Sequence, residues 1–313
     1  MTSPASTSTT DATSRSHAAL QRPSSLALAL GLGAVLLVWS VNYIVGKITL
    51  QHIDGLTLAA LRAELVAAML LAIYFAQRQR MPLRARDIWT FVYLGFFGYV
   101  VNQGCFIVGL SRTTSDHSVI IIASAPIIVL LVASALRLEK LTIAKVFGMA
   151  ICFAGVVMLE TEHGWPTHSP LLTGDLISLA GVLGFSAYTI FGKRVARAYD
   201  TVSMNAFNAA AAAIVMMPLA VRQGIRLDWR GVGWVGWAGL LYMASLSAVA
   251  GYLLFYWLLR HMEASRVVAI NYFQPVVVVL LSIPLLGERP TPRLVISALL
   301  VLLGVYLAER VSG

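Results

Sequence analysis

Trp39, Asn42, Tyr43 and Gly46 are separated by three, one and three residues, a spacing that puts all four on one face of a helix. Tyr99, Asn102, Gln103 and Phe106 repeat the spacing, and so do Phe185, Tyr188, Thr189 and Gly192. Tyr242, Ser245, Tyr252 and Tyr256 form a further stripe, within which Tyr242 and Tyr256 read as interfacial anchors near the span ends. Asn271, Tyr272 and Gln274 cluster before Pro275, while His117, Ser118 and Ser124 precede Pro126. Amides and hydroxyls can hydrogen-bond an ammonium or a carboxylate. Aromatic faces attract cations and cover apolar groups. This is chemistry of binding rather than of bond breaking.

The residues that bond breaking would need are missing from the sequence. There is no G-x-x-x-x-G-K-[ST] loop; Lys47 and Lys193 follow glycines but end apolar runs. There is no H-E-x-x-H and no paired aspartate cluster, and the six histidines have no ligand spacing. No cofactor or metal is expected. Cys105 and Cys152 lie inside apolar runs and read as small buried side chains. Apart from Arg62, Lys and Arg are absent from mid-span positions, which argues against phosphorylated substrates. Glu64 is the one acid well inside a span and sits two residues from Arg62, on a different face, as a helix-contact or entrance residue.

The elements that position these residues follow from composition. Of 313 residues, 58% are hydrophobic and 12% charged, with a mean hydropathy of +0.80. A soluble domain carries about 25% charged residues. The chain therefore reads as an all-α polytopic membrane protein. Apolar runs predict ten spans, at 25–46, 57–76, 88–110, 114–136, 142–159, 173–193, 201–221, 232–257, 265–286 and 291–308. Residues 1–23 are Ser/Thr/Ala-rich and read as a disordered cytoplasmic tail rather than a cleaved leader. The net charge of +9 belongs to short loops, so topology explains it better than nucleic acid does. With both termini inside, 15 Lys and Arg fall on the cytoplasmic side and 7 on the other. That excess predicts both termini in the cytoplasm and the 161–172 connection outside, in an inner membrane.

The halves repeat. Trp39 to Lys47 aligns without gaps on Phe185 to Lys193, an offset of 146. Pro126 pairs with Pro275, Glu139 with Glu288 and Gly155 with Gly304, at an offset of 149. Each half, 24–160 and 173–310, holds five spans. An odd number makes the second copy enter the membrane from the opposite side, so the expected architecture is two inverted five-helix repeats. Inverted repeats suit alternating access, with the substrate site between them near mid-membrane.

Ala125-Pro126, Leu138-Glu139, Gly148 and Gly155, echoed by Gln274-Pro275, Leu286-Gly287-Glu288-Arg289 and Gly304, resemble the EamA-type repeat of the drug/metabolite transporter superfamily. The resemblance covers about residues 25–310, and Arg62 resembles that family's arginine. The aromatic and amide stripes are most similar to those of its amino-acid exporters, the YddG type. The resemblance implies export of small amphipathic solutes, amino acids including aromatic ones among them. The stripes themselves select Trp39, Asn42, Tyr43, Tyr99, Asn102, Gln103, His117, Ser124, Tyr188, Ser245, Tyr252, Asn271, Tyr272 and Gln274 as candidate binding residues. A monomer in the lipid bilayer is expected. The alternatives are an exporter of drugs or neutral metabolites with the same fold, a membrane enzyme acting on lipid or prenyl substrates, and a channel. Pro126 and Pro275 are expected to kink their helices mid-span, freeing the carbonyls of Ile122 and Asn271, and so to serve gating.

Overall fold

A computed structural model describes residues 23–310, apart from 79, 124, 138–141, 161–171, 197 and 287–290. The expected tail and the connection between the halves therefore lie, almost entirely, outside the described residues. The described residues contain helices and no strand.

The helices are α1 (Ser25–Thr49), α2 (Gly55–Ala76), α3 (Ala85–Arg112), α4 (Ser115–Ala123), α5 (Ala125–Ala135), α6 (Ile143–Glu160), α7 (Leu172–Val195), α8 (Thr201–Arg226), α9 (Gly233–His261), α10 (Ala264–Val268), α11 (Gln274–Leu286) and α12 (Pro292–Arg310). Six of them, α1, α2, α3, α7, α8 and α9, are long and apolar enough to cross a membrane. The other expected spans appear as shorter apolar helices within 125–135, 143–155, 274–285 and 295–304. Large apolar side chains face outward, as a lipid-facing surface requires; Ile143 is 91% exposed and Trp234 81%.

Local chemistry sets the helix ends. Asp54 caps α2, its Oδ1 accepting from the backbone of Leu56 and Thr57, both at 3.1 Å. Asp200 caps α8 in the same way, accepting from Val202 and Ser203, both at 3.0 Å. The caps are 146 residues apart, the offset of the repeat. Each satisfies amide groups that the first helical turn leaves bare.

The two halves interlock rather than sit side by side. α2 packs on its counterpart α8, and α6 on its counterpart α12. α1 lies against α9 and α11, while α7 lies against α3, α4 and α5, the equivalent neighbours in the other half. Trp39 and its counterpart Phe185 meet edge to face, with ring centroids 6.0 Å apart. Backbone approach is close where α3 meets α8. A Cβ at Gly95 would sit 2.4 Å from the Asn208 carbonyl oxygen, so only glycine fits.

Two features depart from regular α-helix. Phe96–Gln103 in α3 and Met243–Ala250 in α9 are π-helical, with i→i+5 bonding. Their first and last residues are each offset by 147, so the π segments are themselves repeat-related. The second departure corrects the expectation of a mid-helix kink at Pro275. A 3-10 turn (Ala269–Tyr272) follows α10, and a new helix begins at Gln274. Pro275 is the second residue of that helix, where its missing N–H is one that has no intrahelical partner anyway. Pro126 is likewise the second residue of α5, which follows the undescribed position 124. Pro275→Ala should therefore shift stability by less than about 1 kcal/mol, not recover the ~3 kcal/mol of a proline in a helix interior. Thermal melting of the detergent-solubilised protein checks this. A gain of several degrees in Tm would restore the kink.

Candidate substrate cavity

One cavity lies where the halves cross, lined by α1, α3, α7, α9, the α4–α5 region and the α10–α11 junction. Counted out through its open mouth into solvent, it spans about 500 Å³. Trp39, Asn42, Tyr43, Asn102, Gln103, Tyr252, Asn271 and Gln274 line it, eight of the residues that the stripes selected.

A hydrogen-bond chain within this wall joins α3, α7 and α9. Tyr252 donates to Asn102 Oδ1 at 2.8 Å, Gln103 Nε2 donates to the same oxygen at 2.9 Å and also to the Tyr252 hydroxyl, and Asn102 Nδ2 donates to the Gly181 carbonyl at 3.0 Å. These groups spend their polarity on one another and fix three helices. A second set of amides is unspent. Asn42 Oδ1, Asn271 Oδ1 and Gln274 Oε1 are buried and have no hydrogen-bond partner. Buried oxygens without partners are costly, and three in one cavity wall favour a ligand that donates protons.

Aromatic rings shape the rest. Trp39 stands 5.6 Å from Tyr252 and 5.3 Å from Phe255, and its Nε1 donates to the Ser247 carbonyl at 3.1 Å. Tyr43 meets Phe106 edge to face at 5.2 Å.

Other selected residues sit elsewhere. Tyr99 and Tyr188 are buried one layer back, 5.5 and 5.6 Å from the Tyr252 ring. Their hydroxyls donate to Asn205 Oδ1 at 3.5 and 3.4 Å. Ser245 does not line the cavity; its hydroxyl donates to the Leu241 carbonyl at 2.6 Å. Ser247 lines it instead. The reason is the π segment. With five rather than four residues bonding per turn, the position sharing a face with Tyr252 is five residues back, at 247. Helical spacing at 3.6 residues per turn could not find it. Tyr256 is a second correction: it is fully buried, not interfacial, and donates to the Tyr188 carbonyl at 3.1 Å. Ser124 and the side chains of His117 and Tyr272 lie outside the described residues. Ser118 is buried. Pro126 is buried next to the lining residue Ala125. Ile122, Ala125 and Val182 also line the cavity and carry no polar signal by which sequence could have selected them.

Among the described residues no three His, Cys, Asp or Glu side chains form a metal-sized group. Among the described residues the cavity lining is uncharged.

Comparison with known proteins fixes the family. The profile of the EamA-like transporter family matches residues 25–161 and again 172–310. The chain belongs to the EamA-like transporter family. The two matches are tandem EamA domains. This EamA-like protein is a multi-pass membrane transporter. A protein of Archaeoglobus fulgidus named "Uncharacterized transporter" is 27% identical over 272 residues, covering 87% of this chain and 95% of its own. A "Probable amino-acid metabolite efflux pump" of Salmonella typhimurium is 26% identical over 305 residues, covering 89% and 96%. The Escherichia coli protein of the same name is 27% identical over 285 residues, covering 87% and 91%. A solved crystal structure with 22% identity superposes with a TM-score of 0.70, covering 91% of this chain and 99% of that one, which supports the fold alone.

Proposed function

We propose that this EamA-like transporter exports amino acids, aromatic ones among them, by alternating access through the central cavity. It does so as ten spans in two inverted repeats, with both termini on the cytoplasmic side of the inner membrane. One observation carries the substrate reading: Asn42, Asn271 and Gln274, each with a buried amide oxygen that has no partner, line a cavity walled by aromatic rings. An α-ammonium group supplies the three donors those oxygens lack, and the rings cover an apolar or aromatic side chain. The names of the Salmonella and Escherichia relatives point the same way. The interlocked packing of equivalent helices supports a two-fold relation between the halves, because the same contacts recur with the halves exchanged.

Flux of labelled phenylalanine, leucine and a panel of drugs into liposomes holding the purified protein tests this. Amino acids should move and compete with one another. Drug flux without amino-acid flux would replace this reading by its rival. The double variant Asn271→Leu/Gln274→Leu should raise KM for phenylalanine at least about tenfold, since a hydrogen bond to a charged group is worth about 1.5–3 kcal/mol. It should melt no lower than the parent, because it removes two buried unpartnered oxygens. Unchanged KM would take the ammonium away from this wall.

A further inference from the structure

The cavity wall is neutral, but a full positive charge stands directly behind it. Arg62 on α2 is 3% exposed. Its Nε donates to the Met243 carbonyl at 2.9 Å and its Nη2 to Ser247 Oγ at 3.4 Å, while Nη1 has no partner. The ion pairs Arg86–Asp87 and Arg266–Glu263 do not involve Arg62. Glu64 turns away into a lateral groove beside Trp229 and Trp237. The repeat does not require a cation at this place. The counterpart of Arg62, at the offset of 146, is Asn208, whose Nδ2 donates to the Tyr188 hydroxyl at 3.5 Å. Packing is satisfied there by a neutral amide.

A guanidinium buried without a counter-ion is costly, and the cost falls when an anion approaches. The route for that approach is Ser247. Its oxygen accepts from Arg62 and the residue lines the cavity, so the hydroxyl proton is left for an acceptor there. A hydroxyl whose oxygen is bonded to a cation is a stronger donor. The cavity thus has a donor end at Ser247 and an acceptor end at the amides of Asn42, Asn271 and Gln274.

We propose that Arg62, acting through Ser247, is the positioning residue that makes the cavity select solutes bearing a carboxylate and turns that carboxylate toward α9. The proposal rests on the transport reading and narrows its substrate class to acids and zwitterions, excluding simple amines.

Three matched probes test it: phenylalanine, its deaminated acid 3-phenylpropionate, and its decarboxylated amine phenethylamine. Binding to the full chain in detergent is read separately from flux in liposomes. Wild type should bind phenethylamine at least about tenfold more weakly than phenylalanine, the effect of one fixed charge at short range in a poorly solvated site. Arg62→Gln should weaken phenylalanine and 3-phenylpropionate by a similar factor and leave phenethylamine unchanged or tighter. Arg62→Lys should restore part of the preference, which a merely structural role for the arginine would not predict. Should Arg62→Gln not fold, Ser247→Ala removes the relay alone and should weaken only the two carboxylates. A folded Arg62→Gln or Ser247→Ala that ranks the three probes as wild type does overturns the proposal. So does a wild type that prefers the amine or binds none of the three. A protein that shows the expected ranking yet moves no solute sinks the transport reading instead.

Discussion

Gly95→Val should leave almost no folded protein in the membrane. The added Cβ would lie 2.4 Å from the carbonyl oxygen of Asn208 and 3.0 Å from the backbone nitrogen of Ala212. Those are main-chain atoms of a packed helix, so no side-chain rotation can make room. α3 would have to move off α8. Overpacking a tight core costs typically about 1–3 kcal/mol and sometimes more. Here it would also spread the contact that holds Tyr99 and Tyr188 against Asn205. Against a total stability of about 5–15 kcal/mol, such a loss is large. Gly33→Val is the control, because nothing lies within 4 Å of a Cβ there. Fluorescence-detected size exclusion and thermal melting in detergent report the outcome. A Gly95→Val protein with a native Tm would mean that α3 and α8 separate freely.

Lys47→Met and Lys193→Met should bias the transporter toward opposite-facing states. Lys47 closes α1 and its Nζ donates to the carbonyls of Leu110, at 2.8 Å, and Thr113, at the end of α3. Lys193 holds the equivalent place in α7 and donates to the Met262 carbonyl, at the end of α9, at 3.1 Å. Each cation thus sits at a helix C-terminus, where it meets bare carbonyls and the negative end of the dipole. Such a contact is worth up to ~2 kcal/mol when partly buried. In an inverted pair the two tethers lie at opposite mouths, so the loss of either releases a different mouth. A bias of about 1.4 kcal/mol moves the state ratio tenfold. Methionine keeps the apolar stem and deletes the charge. Spin-label distances across each mouth should shift in opposite senses, with transport slowed in both variants. Shifts of the same sense would count against inversion.

Six of the expected spans were legible because hydropathy over twenty residues is a strong signal. The expected edges at 25, 201 and 286 coincide with observed helix ends. The phase within a span was legible only while the helix stayed α. Asn42 and Tyr43 on α1, selected by the α spacing, line the cavity. On α9 the π segment turned the stripe, so Ser245 was selected where Ser247 is the lining residue. Nothing in Met243–Ala250 announces i→i+5 bonding by composition. Depth within the bundle was not legible either: periodicity gives a direction from the helix axis, not a distance from the cavity. Tyr99 and Tyr188 point inward as expected and still stop one layer short. Arg62 shows the same limit from the other side. Its type was plain in the sequence, but its neighbour Ser247 lies 185 residues away, across the two halves.

The interlocking of the halves also bears on biosynthesis. α2 finds its partner in α8 and α6 in α12, so the first half completes few of its own interfaces. A ribosome adds about 5–20 residues per second, and closing the gap of roughly 146 residues takes on the order of ten seconds. During that time Arg62 lies in the bilayer with neither Met243 nor Ser247 yet made. An early half of this kind must be sheltered by the insertion machinery or by lipid headgroups until the late half arrives, and slow translation through residues 201–261 would lengthen its exposure to membrane proteases.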